Sequence, residues 1–119
     1  MVTATSKAAY ANNPGLITQR ERVGEYLLQR TLDGRMSSDN DAARDLVIPA
    51  GTVSARRNEL FESRIIAFDM EWIPAMMVDR LDRATGQTVA TWCMVIYQGD
   101  DVLTAKRRTI EFISQLKRK

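Results

Sequence analysis

Histidine is absent from this chain of 119 residues, and cysteine occurs once, at Cys93. Histidine is the commonest general base near neutral pH and the commonest zinc ligand. A lone cysteine cannot form an internal disulfide or a thiolate metal cluster. The motifs of nucleotide-binding proteins, serine hydrolases and zinc proteases are missing too. These absences favour a cytoplasmic protein without enzyme activity, cofactor or metal, in which Cys93 is a buried, inert thiol.

Long apolar runs are also missing. No segment approaches the roughly 18 apolar residues that a membrane-spanning helix requires, so the sequence predicts no membrane association. The composition, with 45% hydrophobic and 27% charged residues, is close to that of globular proteins. Residues 1–15 are small and polar and are expected to form a flexible N-terminal tail without a secretory signal. The rest of the chain is long enough for one folded domain.

Three helices are predicted in the first half of the chain. Thr18 begins the first and Ser38 the second, because each is followed three residues later by an acidic residue, which is the spacing of a capping box. Pro49 lacks an N–H group and biases its predecessor toward extended geometry, so the second helix must end before it. After the turn at Pro49, the third helix is predicted over residues 52–62.

The third helix is expected to be the functional one. Steps of 100° per residue place Val53 and Leu60 on its apolar side, while Ser54 and Asn58 face outward. Outward polar side chains on such a helix can reach the edges of DNA bases. Thr52, at the start of the helix, is predicted to be its cap and to lie where a hydroxyl can also meet a phosphate.

Two arginines, Arg56 and Arg57, flank the apolar side of this helix. In one interpretation they contact phosphate or guanine and make the helix a protruding cationic rod. In the other, the stem of an arginine packs on the core and its guanidinium pairs with a carboxylate of the first two helices, such as Glu25.

The second half of the chain is typical of β-structure. Residues 65–73 alternate between apolar and polar side chains, which predicts a half-buried strand with Phe68 and Trp72 on one face. Pro74 indicates an edge position, a bulge or a break. Two further β-rich runs, residues 75–82 and 88–97, flank a short segment containing glycine and predict a hairpin.

Residues 99–119 are predicted to form an amphipathic, basic helix. Its apolar face is formed by Leu103, Ile110, Ile113 and Leu116. Three roles stay open: packing on its own domain, pairing with a second copy of the chain, and adding positive charge near DNA. Homodimer formation is preferred, because helix-turn-helix proteins commonly bind paired half-sites.

The order of helix, short strand, helix, turn, helix and hairpin resembles a winged helix-turn-helix domain. Residues 48–60, IPAGTVSARRNEL, resemble the recognition-helix segment of small phage and prophage winged-helix proteins, which typically reads LPxxTVSARRxEL. Residues 83–87 are loosely similar to the tip of the wing in that family. The resemblance implies an α+β fold over residues 16–98, in which a three-helix bundle carries a β-hairpin wing, with the C-terminal helix as an addition.

The same resemblance implies a double-stranded DNA-binding protein, a phage or prophage transcriptional regulator that reads the major groove with its third helix. Arg83 and Thr85, at the tip of the hairpin, are expected to touch the adjacent backbone. The candidate DNA-binding residues are Ser38, Thr52, Ser54, Arg56, Arg57, Asn58, Arg83 and Thr85.

The charge distribution supports an alternative. Residues 16–64 contain eight basic and eight acidic residues, and residues 65–99 contain two basic and four acidic ones. Affinity for DNA depends largely on the neutralisation of phosphates, so a neutral helix-turn-helix favours a protein partner instead. In this interpretation the scaffold binds a host protein through the segment 68–78, which is rich in methionine and tryptophan.

Overall fold

The computed structural model describes residues 18–82 and 85–118, with only the backbone described at residues 78–82. Within these ranges the fold is α+β, with four helices and a three-stranded antiparallel sheet of order β1-β2-β3. The elements are α1 (Gln19–Leu32), α2 (Asp39–Leu46), α3 (Ala50–Ser63), β1 (Ile65–Ala67), β2 (Met70–Asp82), β3 (Gln87–Ile96) and α4 (Val102–Lys117). The N-terminal tail predicted over residues 1–15 lies outside the described ranges. Crossing a membrane requires a longer and more apolar helix than any of these four.

Side-chain caps fix where three of the helices begin. Thr18 accepts a hydrogen bond from the backbone N–H of Glu21 at 3.1 Å. Ser38 accepts one from Asp41 at 3.1 Å, and the carboxylate of Asp41 accepts one in return at 3.2 Å. Asp101 caps α4 in the same way. The helix starts predicted at Thr18 and Ser38 are confirmed, and such caps typically stabilise a helix by about 1 kcal/mol.

The turn between α2 and α3 differs from the prediction. Val47, with φ of 58°, supplies its left-handed residue, and α3 begins two residues earlier than expected, with Pro49 at the N-cap. The backbone carbonyl of Pro49 accepts the first hydrogen bonds of the helix, at 3.0 and 3.1 Å. Thr52 therefore lies in the first turn and is not the cap, and Gly51 lies inside the helix.

The strand predicted over residues 65–73 is wrong, because the chain reverses at Phe68 and Asp69. Both residues have positive φ, 54° and 59°, and the two-residue turn pairs Ile65 with Trp72. The usual sequence signal for such a turn is Asn-Gly or Asp-Gly, which is missing here. The reversal buries Trp72 and leaves Ile66 69% exposed.

The sheet is covered on both faces. One face joins α1, α2 and α3 in the main core, through Val23, Leu27, Leu28, Ala42, Val53, Leu60, Trp72, Met94 and Ile96. The other face, formed by Ile73, Ala75, Cys93 and Val95, packs against Ala105 of α4. α4 meets this face of the sheet through an alanine, while Leu103 and Ile110 of its predicted apolar face are exposed.

The free edge of β3 is covered by two threonine hydroxyls. Thr31 of α1 accepts a hydrogen bond from the backbone N–H of Met94 at 2.8 Å, and Thr109 of α4 accepts one from Ile96 at 2.7 Å. Each hydroxyl also donates to the carbonyl four residues earlier in its helix. Further along this edge, the backbone of Ser37 forms an isolated antiparallel bridge to Trp92 of β3. These hydrogen bonds occupy backbone groups of β3 that could otherwise pair with a strand of another chain.

We expect Thr31→Val to lower the free energy of unfolding by about 1–3 kcal/mol, because the isosteric side chain leaves the buried N–H of Met94 without a partner. Urea unfolding followed by circular dichroism measures the change. Thr31→Ser keeps the hydroxyl and is the matched control. A loss in Thr31→Ser with no loss in Thr31→Val would show that the methyl group, and not the hydrogen bond, stabilises this edge.

Candidate nucleic-acid interface

The outward side of α3 is the surface that the sequence predicts to meet DNA. The helix packs through Val53 and Leu60 of the main core, and Gly51, Asn58 and Glu62 are exposed on its other side. Its first turn contains no acidic residue, and Pro49 makes no side-chain cap bond. The positive end of the helix dipole is therefore open to the surface.

Arg57 is buried against its own chain and is only 7% exposed. Its Nε and Nη2 atoms donate to the two carboxylate oxygens of Asp39 at 2.9 and 2.8 Å. Its Nη1 donates to Asn58 at 3.2 Å, and its guanidinium carbon lies 3.6 Å from the centre of the Trp92 ring. The expectation that Arg57 protrudes as a free cation is thus corrected. The alternative, pairing with a carboxylate of the first two helices, is what the structure shows, with Asp39 in place of Glu25.

Asp39 also binds Ser54, which the sequence predicts to reach a base edge. The hydroxyl of Ser54 donates to Oδ2 of Asp39 at 2.5 Å. Burial by itself would raise the pKa of Asp39, but the hydrogen bonds from Arg57 and Ser54 and the charge of Arg57 hold it below its usual value. Two of the predicted DNA contacts are therefore joined in one network around a single carboxylate.

Arg56 is more accessible, and it is also paired. Its Nη2 lies 3.0 Å from a carboxylate oxygen of Glu59, and Arg20 of α1 approaches the other oxygen at 4.0 Å. The side chains of these three residues are between 33% and 42% exposed. Exposed pairs of this kind contribute about 0–1 kcal/mol, so a phosphate can compete for either arginine.

The other predicted residues are placed differently from one another. Thr52 is half-buried, Asn58 is exposed, and Thr85 is exposed at the hairpin, where it accepts a hydrogen bond from Gln87 at 3.3 Å. Ser38 is 1% exposed and its hydroxyl is the N-cap of α2, so the geometry does not support a DNA contact by its side chain. Arg83 lies outside the described residues.

A groove of about 350 Å³ lies between this network and the first half of β3. Both α2 and α3 begin at its border. Its lining consists of Ser38, Asp39, Asn40, Ala50, Gly51, Ser54, Arg57, Val89, Ala90 and Trp92. Sequence reasoning missed two important members, Asp39 and Trp92. Neither residue has a local sequence signal for pairing with Arg57.

Cys93 lies on the face of the sheet that packs against α4, away from this groove. Burial raises the pKa of its thiol to about 11, partly offset by the positive charge of Lys106. We expect iodoacetamide at about pH 8 to modify Cys93 much more slowly in the folded protein than in urea, because the thiolate is the reactive form. Mass spectrometry measures both rates. Equal rates would contradict a buried thiol.

The network around Asp39 predicts a dependence of stability on pH. Because the folded-state pKa of Asp39 is lowered, its contribution is present above the unfolded-state pKa near 4 and is lost as the pH falls through the folded-state value. Asp39→Asn removes this contribution and leaves the buried charge of Arg57 unpaired. We expect the free energy of unfolding to fall by an amount toward the lower end of about 3–5 kcal/mol, because the Asp39 side chain is 22% exposed.

Urea unfolding at pH 7 and near pH 3 measures both effects. Asp45→Asn, an exposed carboxylate in the same helix, is the matched control and is expected to cost less than about 1 kcal/mol. As the pH is lowered, the free energy of unfolding should fall less in the Asp39→Asn variant than in the unmodified protein. The same pH dependence in both proteins would contradict the lowered pKa of Asp39.

Comparisons of this chain with protein-family models, with curated proteins and with solved structures gave no match.

Proposed function

We propose that the chain binds double-stranded DNA as a winged helix-turn-helix protein of the phage or prophage regulator type. In this proposal α3 enters the major groove and the hairpin of β2 and β3 is the wing. The order of the elements supports it: α2 and α3 are joined by a turn of three residues, and the three-helix layer is followed by an antiparallel hairpin.

The observation that carries the proposal is the exposed, polar side of α3. The helix has 14 residues and is about 21 Å long, and its N-terminal turn bears no side-chain cap and no acid. Backbone N–H groups at an open helix start are natural partners of a phosphate. Asn58 is exposed about two turns further along, where an amide can reach a base edge.

The ion pairs limit which side chains contribute charge. Arg57 is bound to Asp39, so Arg56 and Arg20 are the cations of this surface that a phosphate can recruit, by displacing Glu59. With two or three phosphate contacts, the logarithm of the affinity should fall with the logarithm of salt concentration with a slope of about −2 to −3. We therefore expect a moderate affinity rather than the steep salt dependence of a strongly basic domain.

Titration of a labelled random duplex by fluorescence anisotropy tests the proposal. We expect binding at about 50 mM salt that weakens by 200 mM, and we expect Arg56→Ala to reduce both the affinity and the salt slope, the latter by about one. Arg107→Ala is the matched control, because Arg107 is an exposed arginine on α4. If both variants bind like the unmodified protein, α3 is not the DNA-binding helix.

Removal of the competing carboxylate should have the opposite effect. We expect Glu59→Gln to raise DNA affinity several-fold, because Arg56 and Arg20 lose the acidic partner with which a phosphate competes. Glu111→Gln, which removes an exposed carboxylate from α4, controls for the change in net charge. The same anisotropy titration measures both variants, and equal gains would indicate a general charge effect instead of a local one.

A second candidate is a protein-interaction module on the same scaffold. The neutralisation of the α3 arginines by Asp39 and Glu59 favours it. The surface expected at residues 68–78 is not a single apolar patch, however, because Trp72 is fully buried while Phe68 and Met76 are exposed. A failure to bind any duplex at about 50 mM salt would favour this candidate over DNA binding.

A further inference from the structure

The helix α4 exposes aliphatic side chains that its own domain does not use. Its inner side carries Ala105, Thr109 and Phe112, which pack on the sheet and the core. On another side, Leu103 is 62% exposed and Ile110 is 64% exposed. Residues seven positions apart lie on the same face of a helix. The contact of α4 with its own domain is therefore complete without this face.

An apolar groove of about 360 Å³ runs beside Ile110. It lies between α4, the end of α1 and the face of the sheet on which α4 packs. Its apolar lining is formed by Met36, Met77, Cys93, Val95, Ile110 and Ile113. A protruding aliphatic side chain thus lies directly next to a depression that can receive one.

We propose that this surface binds a second copy of the chain, with the two α4 helices antiparallel about a two-fold axis near Ile110. Such an axis brings Ile110 against Ile110 of the partner subunit. It also places Leu103 beside Lys117 of the partner subunit, since both lie seven residues from the axis. A two-fold interface requires a self-complementary surface, and an exposed aliphatic side chain at the axis, packed against its own copy beside the apolar groove, meets this requirement.

The charges along α4 favour the antiparallel arrangement. The helix begins at its N-cap, Asp101, and ends with Lys117 and Arg118, while Asp100 is paired with Arg108 of the same helix. Antiparallel pairing brings the acidic start of one helix to the basic end of the other, whereas parallel pairing brings like charges together. Lys106, which also borders the groove, donates to the carbonyl of its own β2 strand at 2.8 Å and is held within its own chain.

The size of the surface supports a second copy over a small ligand. The 16 residues of α4 span about 24 Å. A stable interface buries about 800 Å² on each partner, which is more than Leu103 and Ile110 supply alone. The apolar surface continues beyond α4 onto Met36, which is 36% exposed, and into the groove lined by Met77, Val95 and Ile113. Met36 and the groove extend the contact beyond the helix.

Sedimentation equilibrium of the full chain between about 1 and 100 μM measures the dimer. We expect a dimer whose dissociation constant rises at least about 30-fold in Ile110→Glu, as for a central anchor of an interface. Ile66→Glu is the matched control, because Ile66 is 69% exposed on β1, and it should leave the dimer intact. Circular dichroism verifies that both variants are folded.

Disulfide trapping tests the antiparallel arrangement. Oxidation should cross-link Ile110→Cys efficiently, whereas Leu103→Cys should stay unlinked, because 14 residues, about 21 Å, separate Leu103 from its equivalent along the helix pair. A monomer at about 100 μM, equal dissociation of the two glutamate variants, or equal cross-linking of the two cysteine variants would overturn the proposal. None of these measurements contains DNA, so their outcome is independent of the proposed function.

Discussion

The side chain of Arg57, which belongs to α3, joins this helix to α2 and to β3. Its guanidinium binds Asp39 at the start of α2 through two hydrogen bonds, while its face lies on the ring of Trp92 in β3. An arginine can do both at once, because its donors lie in the plane of the group and leave both faces free. A lysine in its place has neither the fork nor the flat face. The geometry of α2, α3 and the hairpin therefore depends on one buried cation.

The same interaction changes the electrostatics of the surface proposed to bind DNA. A cation paired with Asp39 cannot also neutralise a phosphate without breaking a buried ion pair, which is costly. Ser54 is held by the same carboxylate. What is left at the surface is an open helix start, the amide of Asn58 and the arginines that share Glu59. In the proposed complex, positioning by shape and by backbone N–H groups has to compensate for a low density of charge.

Sequence reasoning succeeds here where the partner is close in the chain. Thr18 and Ser38 are recognisable as caps because the groups they bind lie three residues away. Arg57 binds a carboxylate 18 residues away, and the sequence alone gives Asp39 no advantage over Glu25. Only the packing of α2 against α3 selects between them. The turn between β1 and β2 cannot be recognised in the sequence for a related reason. Tertiary packing, and not a glycine, holds Phe68 and Asp69 in the left-handed region.

The sheet separates the two surfaces for which partners are proposed. α3 packs on one face of it and α4 on the other, so a dimer formed through α4 leaves both copies of α3 uncovered. This arrangement matters for the proposed function, in which each α3 makes few phosphate contacts. Linking two weak sites converts the second binding event into an intramolecular one, which raises the overall affinity without any new contact. In the proposed function, a chain whose α3 binds DNA too weakly as a monomer can in this way bind it adequately as a dimer, provided that its half-sites match the spacing that α4 imposes.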